Sequence, residues 1–372
     1  MWTVTCVTMA GNEHLFDVPL EVTVPQFRAT VAKKLGVASF QVKLALGEVV
    51  VDGGERLQDR LGTAHELSVA MLSLPTVSSI AAGCKHCAVI TPSGRAVCWG
   101  GSEDGMEAVQ TPELKAGESF VKISAFGNTT AAITSSGHAV VWGDDQTWQI
   151  SGIPKLPPGE SFVEIAVGGW HVAAITSSGS AICWGDEARR IDQAVPKLEP
   201  GESFVKIAAS NYHTMAITSS GGVVGWGYDM GDGRITGVPA LSPDESFVMI
   251  AVGDDHTAAI TSNGRAVCWG CDKHGQVSRA PKLMPGESFV QIAAGSYHTA
   301  AITSTGRAVA WGHDDRGQVS GVPELPFGES FVQIAADSNH TATITSSGRV
   351  ICWGRDDCGQ VSGLHGVSGA VQ

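Results

Sequence analysis

The sequence predicts a mainly β protein, in which a seven-bladed propeller with about three strands per blade follows a small α+β domain. The dipeptide Trp-Gly recurs seven times at intervals of 42 or 43 residues, which is the signature of a repeat architecture. Each repeat contains three short apolar or alternating runs and no helical period, which excludes helical repeats of similar length. Glycine supplies 46 of the 372 residues, an excess that is typical of proteins with many tight turns.

The sixth repeat illustrates the strands predicted for one blade. Three runs are predicted as strands: Phe289–Ala294, Thr299–Thr303 and Arg307–Trp311. The Ser-Thr-Gly segment between the last two predicts a hairpin connection, because glycine accepts a positive φ there. A Pro-Gly pair at 285–286 marks the boundary with the preceding repeat. Seven small antiparallel sheets of this kind hide their edges when they close into a ring.

The position of the repeats divides the chain into three parts. We predict a first domain at residues 1–73, the propeller at 74–363 and a C-terminal tail at 364–372. The predicted blades are about 74–116, 117–158, 159–200, 201–243, 244–285, 286–327 and 328–363.

The first domain has the element pattern of a small α+β fold. Its helix is predicted from an amphipathic period that begins with a proline near the first turn, a favoured place for this residue. The predicted elements are strands at Trp2–Val7 and Leu15–Leu20, the helix at Val24–Leu35, and strands at Val42–Leu46, Val49–Val51 and Leu67–Leu72.

The order and length of these elements, together with the segment LALGEVVVDGGERLQD, resemble a ubiquitin-like domain. The resemblance implies a β-grasp fold with an apolar receptor-binding patch, which would centre on Leu44 or Ala45. No Gly-Gly pair follows the last predicted strand, where the chain continues as Ser73-Leu74-Pro75. We therefore do not expect conjugation of this domain to other proteins.

The repeat itself resembles the regulator-of-chromosome-condensation family. The resemblance rests on the pattern that runs from Gly295 through His298 to Trp311 and then to Gly317-Gln318, and it covers residues 74–363. Units with only three strands are similar to the propeller-type β-lactamase inhibitor proteins, a compact branch of the same superfamily. The resemblance implies a seven-bladed ring that mainly binds other proteins.

Candidate binding residues come from positions that differ between repeats. The two residues before the repeated histidine vary in every blade and fall between the first two strands, where the resemblance to inhibitor-like propellers implies a partner surface. Aromatic side chains at such positions are typical interface hot spots, and ordinary loop variation is the alternative. The candidate partner-binding residues are Trp170, Tyr212, Asp254, Asp255, Tyr297 and Asn339, with Trp148, which lies outside the repeated Trp position.

Acidic residues recur in the loop that follows each Trp-Gly pair, as in Asp144-Asp145, Asp314-Asp315 and Asp356-Asp357. Carboxylates repeated around a ring would steer a partner with a basic surface. Asp is also a common turn residue, so a local structural role is the alternative. The net charge of −13 argues against a nucleic-acid partner, because phosphate binding requires clustered Lys and Arg.

Two residue patterns raise the question of a metal ion. Histidine recurs in six repeats, and we read Thr130 as its replacement in blade 2; a buried histidine that hydrogen-bonds the backbone is the expected role. The pairs Cys84/Cys87 and Cys268/Cys271 have zinc-ligand spacing but belong to blades 1 and 5, which a ring keeps apart. We therefore predict no metal and no cofactor.

The sequence also bears on location and chemistry. No secretory signal and no apolar run of transmembrane length is present, and nine scattered cysteines fit a reducing compartment. We expect a cytoplasmic monomer without membrane contact, with the nucleus left open. No nucleotide-binding, hydrolase or metalloprotease motif occurs, so no enzymatic activity is predicted.

Two functions compete on these grounds. The first is a non-enzymatic interaction scaffold or adaptor in ubiquitin-dependent regulation, suggested by the pairing of a propeller with a ubiquitin-like domain. The alternative is a guanine-nucleotide exchange factor or regulator for a small GTPase, which the resemblance implies as the family's best-known role. Exchange of this kind works by protein contact and requires no catalytic side chain from the propeller.

Overall fold

The computed structural model describes residues 2–7, 13–18, 27, 44–46, 49–51, 66–67, 79–101, 111–145, 148–186 and 195–363. In the first domain, strand β1 pairs antiparallel with β2 and parallel with β5, while β3 and β4 form a hairpin. The bounds of these strands are β1 Trp2–Val7, β2 Glu13–Val18, β3 Leu44–Leu46, β4 Val49–Val51 and β5 Glu66–Leu67.

Several predictions for the first domain lie outside the described residues. The predicted helix is described only at Phe27, which is buried. Leu44 and Ala45 lie on β3, where their backbones pair with Val51 and Val50, and their side chains are outside the described part. The ubiquitin-like fold and its patch therefore stay predictions, as do the domain boundaries and the tail at 364–372.

Residues 79–363 form seven antiparallel sheets of three strands each, which we number as blades 1–7. The inner strands are β6 (Ser79–Ala82), β9 (Phe120–Phe126), β12 (Phe162–Val167), β15 (Phe204–Ala209), β18 (Phe247–Val252), β21 (Phe289–Ala294) and β24 (Phe331–Asp337). The middle strands are β7 (His86–Ile90), β10 (Thr129–Thr134), β13 (His171–Thr176), β16 (His213–Thr218), β19 (His256–Thr261), β22 (His298–Thr303) and β25 (His340–Thr345). The outer strands are β8 (Ala96–Gly100), β11 (Ala139–Gly143), β14 (Ala181–Gly185), β17 (Val223–Gly227), β20 (Ala266–Gly270), β23 (Ala308–Gly312) and β26 (Val350–Gly354).

The inner strands of all seven blades line one central channel of about 220 Å³. Each inner strand contacts the inner strand of the next blade, and β24 contacts β6, so the ring is closed. Among the strands that the structure describes, β6, β7 and β8 form a sheet of their own, and none is shared across the junction of blades 7 and 1. The mainly β fold with seven three-stranded sheets confirms the predicted propeller.

The repeated tryptophan packs between neighbouring blades. In blade 6, Trp311 is 3% exposed and lies against Phe289, with ring centroids 6.1 Å apart. Both side chains belong to a cluster with Ala258 and Ile260 of blade 5. The Trp311 Nε1–H also donates to the carbonyl oxygen of Gln276, 2.9 Å away in the loop that leaves blade 5. The tryptophan is thus an inter-blade packing residue.

The ring has two faces with different loops. The upper face carries the connections between inner and middle strands and the loops that follow the outer strands; for example, the His313 N–H donates to the Tyr297 carbonyl oxygen at 2.9 Å. The lower face carries the hairpins between middle and outer strands and the starts of the inner strands, as shown by Ser304 N–H donating to Ser288 O at 2.7 Å. None of the described residues forms a helix long and apolar enough to cross a membrane.

The repeated histidine links each blade to the next. Its Nε2 lies within hydrogen-bond distance of the residue that follows the histidine position in the next blade, and we call each such contact a clasp. The clasps are His86–Thr130 (2.7 Å), His171–Thr214 (2.7 Å), His213–Thr257 (3.3 Å), His256–Thr299 (2.8 Å), His298–Thr341 (3.0 Å) and His340–Cys87 (3.2 Å, to Sγ). The expected hydrogen bond of the repeated histidine to the backbone is therefore replaced by a bond to a side chain.

The donor and acceptor of the clasp can be assigned from the other hydrogen bond that the threonine makes. The hydroxyl of Thr299 donates to Gln276 O at 3.1 Å, so its oxygen is left to accept from His256 Nε2–H. Burial lowers the pKa of His256 to about 4, which keeps the imidazole neutral at pH 7. Gln276 O thus accepts from both Thr299 and Trp311.

Blade 2 corrects one sequence prediction. Thr129, and not Thr130, takes the histidine position, because Thr129 pairs with Gly143 as His171 pairs with Gly185. Thr130 is instead the acceptor for blade 1. Blade 2 therefore has no histidine to donate to blade 3. Blade 3 correspondingly carries Val172, which cannot accept a hydrogen bond, at the acceptor position.

Replacing Thr299 by Val is expected to lower the free energy of unfolding by about 1–3 kcal/mol, because it leaves the buried His256 Nε2–H without an acceptor. Urea unfolding followed by circular dichroism measures this change. In a cycle with His256→Ala, the coupling between the two positions is expected to reach about 1 kcal/mol. Purely additive changes would contradict the clasp.

Candidate functional site

The structure brings six of the predicted binding residues to the upper face. Each lies in the connection between the inner and middle strand of its own blade, one or two residues before the histidine, and each is half-buried. They are Trp170 in blade 3, Tyr212 in blade 4, Asp254 and Asp255 in blade 5, Tyr297 in blade 6 and Asn339 in blade 7. Their role in binding stays a prediction.

Tyr297 belongs to a cluster of rings that spans blades 5 and 6. Its ring centroid lies 5.4 Å from His274 and 6.2 Å from His313, and the two imidazoles meet edge to face at 4.4 Å. Burial, followed by the charges of Asp255 and Asp254, raises the pKa of the Tyr297 hydroxyl. The hydroxyl therefore stays protonated and available as a donor at neutral pH.

Asn339 and His313 are held by one buried glutamine. The Gln318 Nε2 lies 3.1 Å from the Asn339 Oδ1 and 3.1 Å from the His313 Nδ1, and donates to both. With its Nδ1 accepting, His313 presents its Nε2–H to Asp315 at 3.1 Å. The loops of blades 6 and 7 are therefore fixed relative to each other on this face.

Asp254 joins three blades. Its Oδ1 accepts from the Asn211 amide at 2.6 Å, and its Oδ2 accepts from the Ser296 hydroxyl at 2.6 Å. Burial raises the pKa of the Asp254 carboxyl, although both hydrogen bonds oppose that shift. This carboxylate is a fixed part of the surface and not a mobile charge.

Arg234 neutralises the same region, and sequence analysis missed it. The guanidinium is buried, donates from Nη1 to Asp254 O at 2.6 Å, contacts Asp255 Oδ1 at 3.2 Å and pairs with Asp232. The available signal was a departure from the repeat, because blades 2, 5, 6 and 7 carry glutamine at the same place. Asp255 is thus already paired within the protein.

The second residue that sequence analysis missed is a carboxyl on the inner strand of blade 7. Asp337 is buried, and its Oδ2 accepts from the Gly127 N–H of blade 2 at 3.2 Å while its Oδ1 accepts from the Ser338 N–H at 2.6 Å. Burial and then the charge of Asp254 raise its pKa to about 8. The sequence signal that could have revealed Asp337 was again a departure from the repeat, because four other blades carry glycine at this position.

The repeated acidic residue of the upper loops has a structural role. In blade 6, Asp314 Oδ1 accepts from the N–H groups of Val319 and Ser320 at 2.8 and 2.9 Å. Burial alone would raise its pKa, but these hydrogen bonds outweigh burial and lower it. Equivalent turn contacts are made by Asp145, Asp229, Asp272 and Asp356. A local structural role in the turn therefore accounts for these carboxylates. The partner with a basic surface stays a prediction.

Trp148 lies in the loop after the outer strand of blade 2, also on the upper face. Its side chain is 54% exposed, and its backbone has a φ of 55°. It takes the place of Gly317 in blade 6, whose φ is 75°. Trp148 therefore differs from the other candidates, which lie in the connections between inner and middle strands.

The cysteines form no metal centre in the described part of the chain. Cys84 and Cys87 lie in blade 1, whereas Cys268 and Cys271 lie in blade 5. Among the described residues, no three His, Cys, Asp or Glu side chains are arranged to hold a metal ion. The eight cysteines in the described part of the propeller are free thiols.

Comparison with protein families identifies the repeat. A model of the regulator of chromosome condensation (RCC1) repeat matches five segments, at residues 162–189, 204–234, 247–276, 289–318 and 331–360. These segments lie in blades 3–7, and the structure adds blades 1 and 2 with the same design. The predicted propeller of this repeat type is thereby confirmed. No curated protein matches the sequence.

Solved structures share the fold at low sequence identity. Human WBSCR16 is 17% identical with a TM-score of 0.59, over 74% of this chain and 88% of that chain. Prp20p from Saccharomyces cerevisiae is 17% identical with a TM-score of 0.56, over 82% and 90%. The CRINKLY WD40 ectodomain of the Arabidopsis thaliana receptor kinase ACR4 is 20% identical with a TM-score of 0.57, over 76% and 96%. These likenesses establish the fold alone.

Proposed function

We propose that this chain, a propeller built from repeats of the regulator-of-chromosome-condensation type, is a non-enzymatic protein that binds a protein partner through its upper face and regulates a small GTPase. The repeat match supports a protein-binding propeller. The structure of Prp20p is described together with its binding properties to Gsp1p and histones, so a relative of this fold binds proteins.

One observation carries the proposal. The buried frame is largely shared between blades: the tryptophan recurs in all seven, the clasp joins six pairs of blades, and the turn carboxylate is described in five. The half-buried residues directly before the histidine position, in contrast, change type from blade to blade, and three of them are the aromatic residues Trp170, Tyr212 and Tyr297. Rigid aromatic side chains that packing does not require are the residues that typically anchor protein interfaces.

Regulation of a GTPase is favoured over the ubiquitin-dependent adaptor. The support for the adaptor came from the first domain, whose ubiquitin-like fold stays a prediction. The support for the GTPase comes from the repeats, which are matched in five blades. Contact-driven exchange also fits the described part of this face, where no group of metal-binding side chains is found, because the partner supplies the nucleotide site.

The proposal is tested with the full chain and defined partners. Purified Gsp1p, histones and a panel of small GTPases loaded with a fluorescent guanine nucleotide are the probes. We expect the chain to bind at least one GTPase and to change its rate of nucleotide release. If no member of the panel binds and no rate changes, regulation of a GTPase is wrong; binding of histones alone would leave only the protein-binding role.

Changing Trp170, Tyr212 and Tyr297 together to Ala is expected to weaken partner binding at least 100-fold, since each aromatic anchor typically contributes 2 kcal/mol or more. Surface plasmon resonance with the responding GTPase measures the loss. The matched control is Phe327→Ala, which removes a fully exposed aromatic ring from the lower face. Equal binding by the triple variant and the wild type would contradict the upper-face site.

A further inference from the structure

Backbone strain is concentrated on one face of the ring. Among the described residues, three that are not glycine have a left-handed backbone: Trp148 (φ 55°), Met230 (φ 53°) and Ser338 (φ 45°). All three lie in loops of the upper face. Left-handed backbone is disfavoured for bulky side chains, and such strain persists mainly where surrounding contacts impose it and function retains it.

The fold places a left-handed backbone at the position of Trp148 but does not require a tryptophan there. Four other blades place glycine at the same point of the same loop, with φ between 72° and 81°: Gly233, Gly275, Gly317 and Gly359. The neighbours of Trp148 fix the loop, because Gln149 Nε2 donates to Gly168 O at 2.8 Å and Ile150 N–H donates to Asp145 Oδ1 at 2.7 Å. The indole nevertheless remains 54% exposed, so burial does not compensate the strain.

Blade 4 repeats the combination with different residues. Its loop after the outer strand exposes 66% of Met230 and 52% of Tyr228. The loop is held at its base by Asp229, whose Oδ1 accepts from Ile235 N–H at 2.9 Å. The fixed loop thus holds Met230 at a positive φ with its apolar side chain in solvent.

We propose that Trp148, Tyr228 and Met230 are outer anchors, which grip the protein partner on either side of blade 3 through an apolar surface segment flanked by lysine or arginine. This proposal rests on the proposed function and adds three residues and a partner chemistry to it. The apolar part follows from the exposed side chains, which lie in loops after outer strands, whereas Trp170, Tyr212 and Tyr297 lie in connections between inner and middle strands.

The basic part of the partner follows from charge complementarity. Asp229 lies between Tyr228 and Met230, and the Thr236 hydroxyl and the Ile235 N–H outweigh burial and lower its pKa, so it is ionised. Trp148 lies three residues after Asp145 and four after Asp144. Each outer anchor therefore lies within a few residues of a carboxylate in the sequence, and the chain as a whole has a net charge of −13. Both features favour a partner surface with positive charge.

The test uses a phage-displayed library of small three-helix proteins with one randomised face, selected against the full chain. The key variant carries Trp148→Gly and Met230→Gly, because glycine fits a left-handed backbone and the fold is kept. We expect most selected binders to carry Lys or Arg beside apolar residues and to lose at least tenfold in affinity for this variant. Its thermal midpoint is expected to equal or exceed that of the wild type.

Two controls separate the possible failures. Phe327→Gly removes an aromatic that is 95% exposed on the lower face and is expected to leave affinity unchanged. Binders that bind the glycine variant as tightly as the wild type, yet lose affinity for the Trp170, Tyr212 and Tyr297 triple variant, would overturn the outer anchors and leave the proposed function intact. Binders whose affinity is unchanged by both variants would overturn the outer anchors and the proposed upper-face site. Binders without basic residues would overturn the proposed chemistry of the partner.

Discussion

Replacing Trp311 by Ala is expected to lower the free energy of unfolding by about 3–5 kcal/mol, which is the range measured for large aromatic residues in protein cores. The indole is buried between blades 5 and 6 and packs on Phe289. The substitution removes this packing and also the hydrogen bond to Gln276 O. Guanidinium unfolding followed by far-ultraviolet circular dichroism measures the loss.

The control for this experiment is a tryptophan of the same chain that lies outside the core. Trp148→Ala removes an exposed indole and is expected to change the free energy of unfolding by no more than about 0.5 kcal/mol. A loss of equal size in the two variants would contradict the packing role of the repeated tryptophan.

Raising the pH from 5 to 8 is expected to destabilise the propeller through Asp337. The carboxyl has an ordinary pKa of 3.8, and burial followed by the charge of Asp254 raises it to about 8 in the folded protein. Between these values the folded state keeps the proton and the unfolded state does not. The stability contribution is therefore fully present below the ordinary pKa and is lost at roughly 1.4 kcal/mol per pH unit as the pH rises towards 8.

The neutral isostere tests this assignment. Asp337→Asn keeps one oxygen, which can accept from the N–H group of either Gly127 or Ser338, and has no proton to lose. We expect its free energy of unfolding to depend less on pH than that of the wild type, with the difference growing between pH 5 and 8. Asp254 also has a raised pKa and is the reason that some dependence will persist in the variant. Parallel pH profiles of the two proteins would show that Asp337 is not the group responsible.

Repetition explains why most of the fold could be predicted. The tryptophan represented by Trp311 recurs in all seven blades, and its partner Phe289 recurs in six, because their surroundings recur. One blade is therefore enough to assign their role. Spacing along a single repeat also predicts strands within one or two residues: Thr299–Thr303 and Arg307–Trp311 are observed as His298–Thr303 and Ala308–Gly312.

The residues that could not be predicted from the sequence each occur in one blade only, where they depart from the repeat. Asp337 of blade 7 accepts from Gly127 of blade 2, which lies beyond blade 1 and comes close to blade 7 only because the ring closes. Arg234 replaces a glutamine, and its carboxylate partners come from two different loops. Spacing within one repeat carries no information about such contacts. The assignment of Thr130 failed for a simpler reason, since counting from Ile123 as from Ile165 leads to Thr129.

The clasp restricts how blades can be exchanged. In a clasp, one blade supplies the histidine and the next supplies a hydroxyl or, in blade 1, a thiol. Whether a blade is compatible with its place in the ring therefore depends on the identity of both neighbours. Blade 3, with Val172, is compatible only with a predecessor that lacks the histidine, as blade 2 does with Thr129. A chimaera that places blade 3 after blade 5 would bury His256 opposite a valine. The seven blades are therefore not interchangeable modules, and any shuffled or duplicated version of this ring must match the donor of each blade to the acceptor of the next.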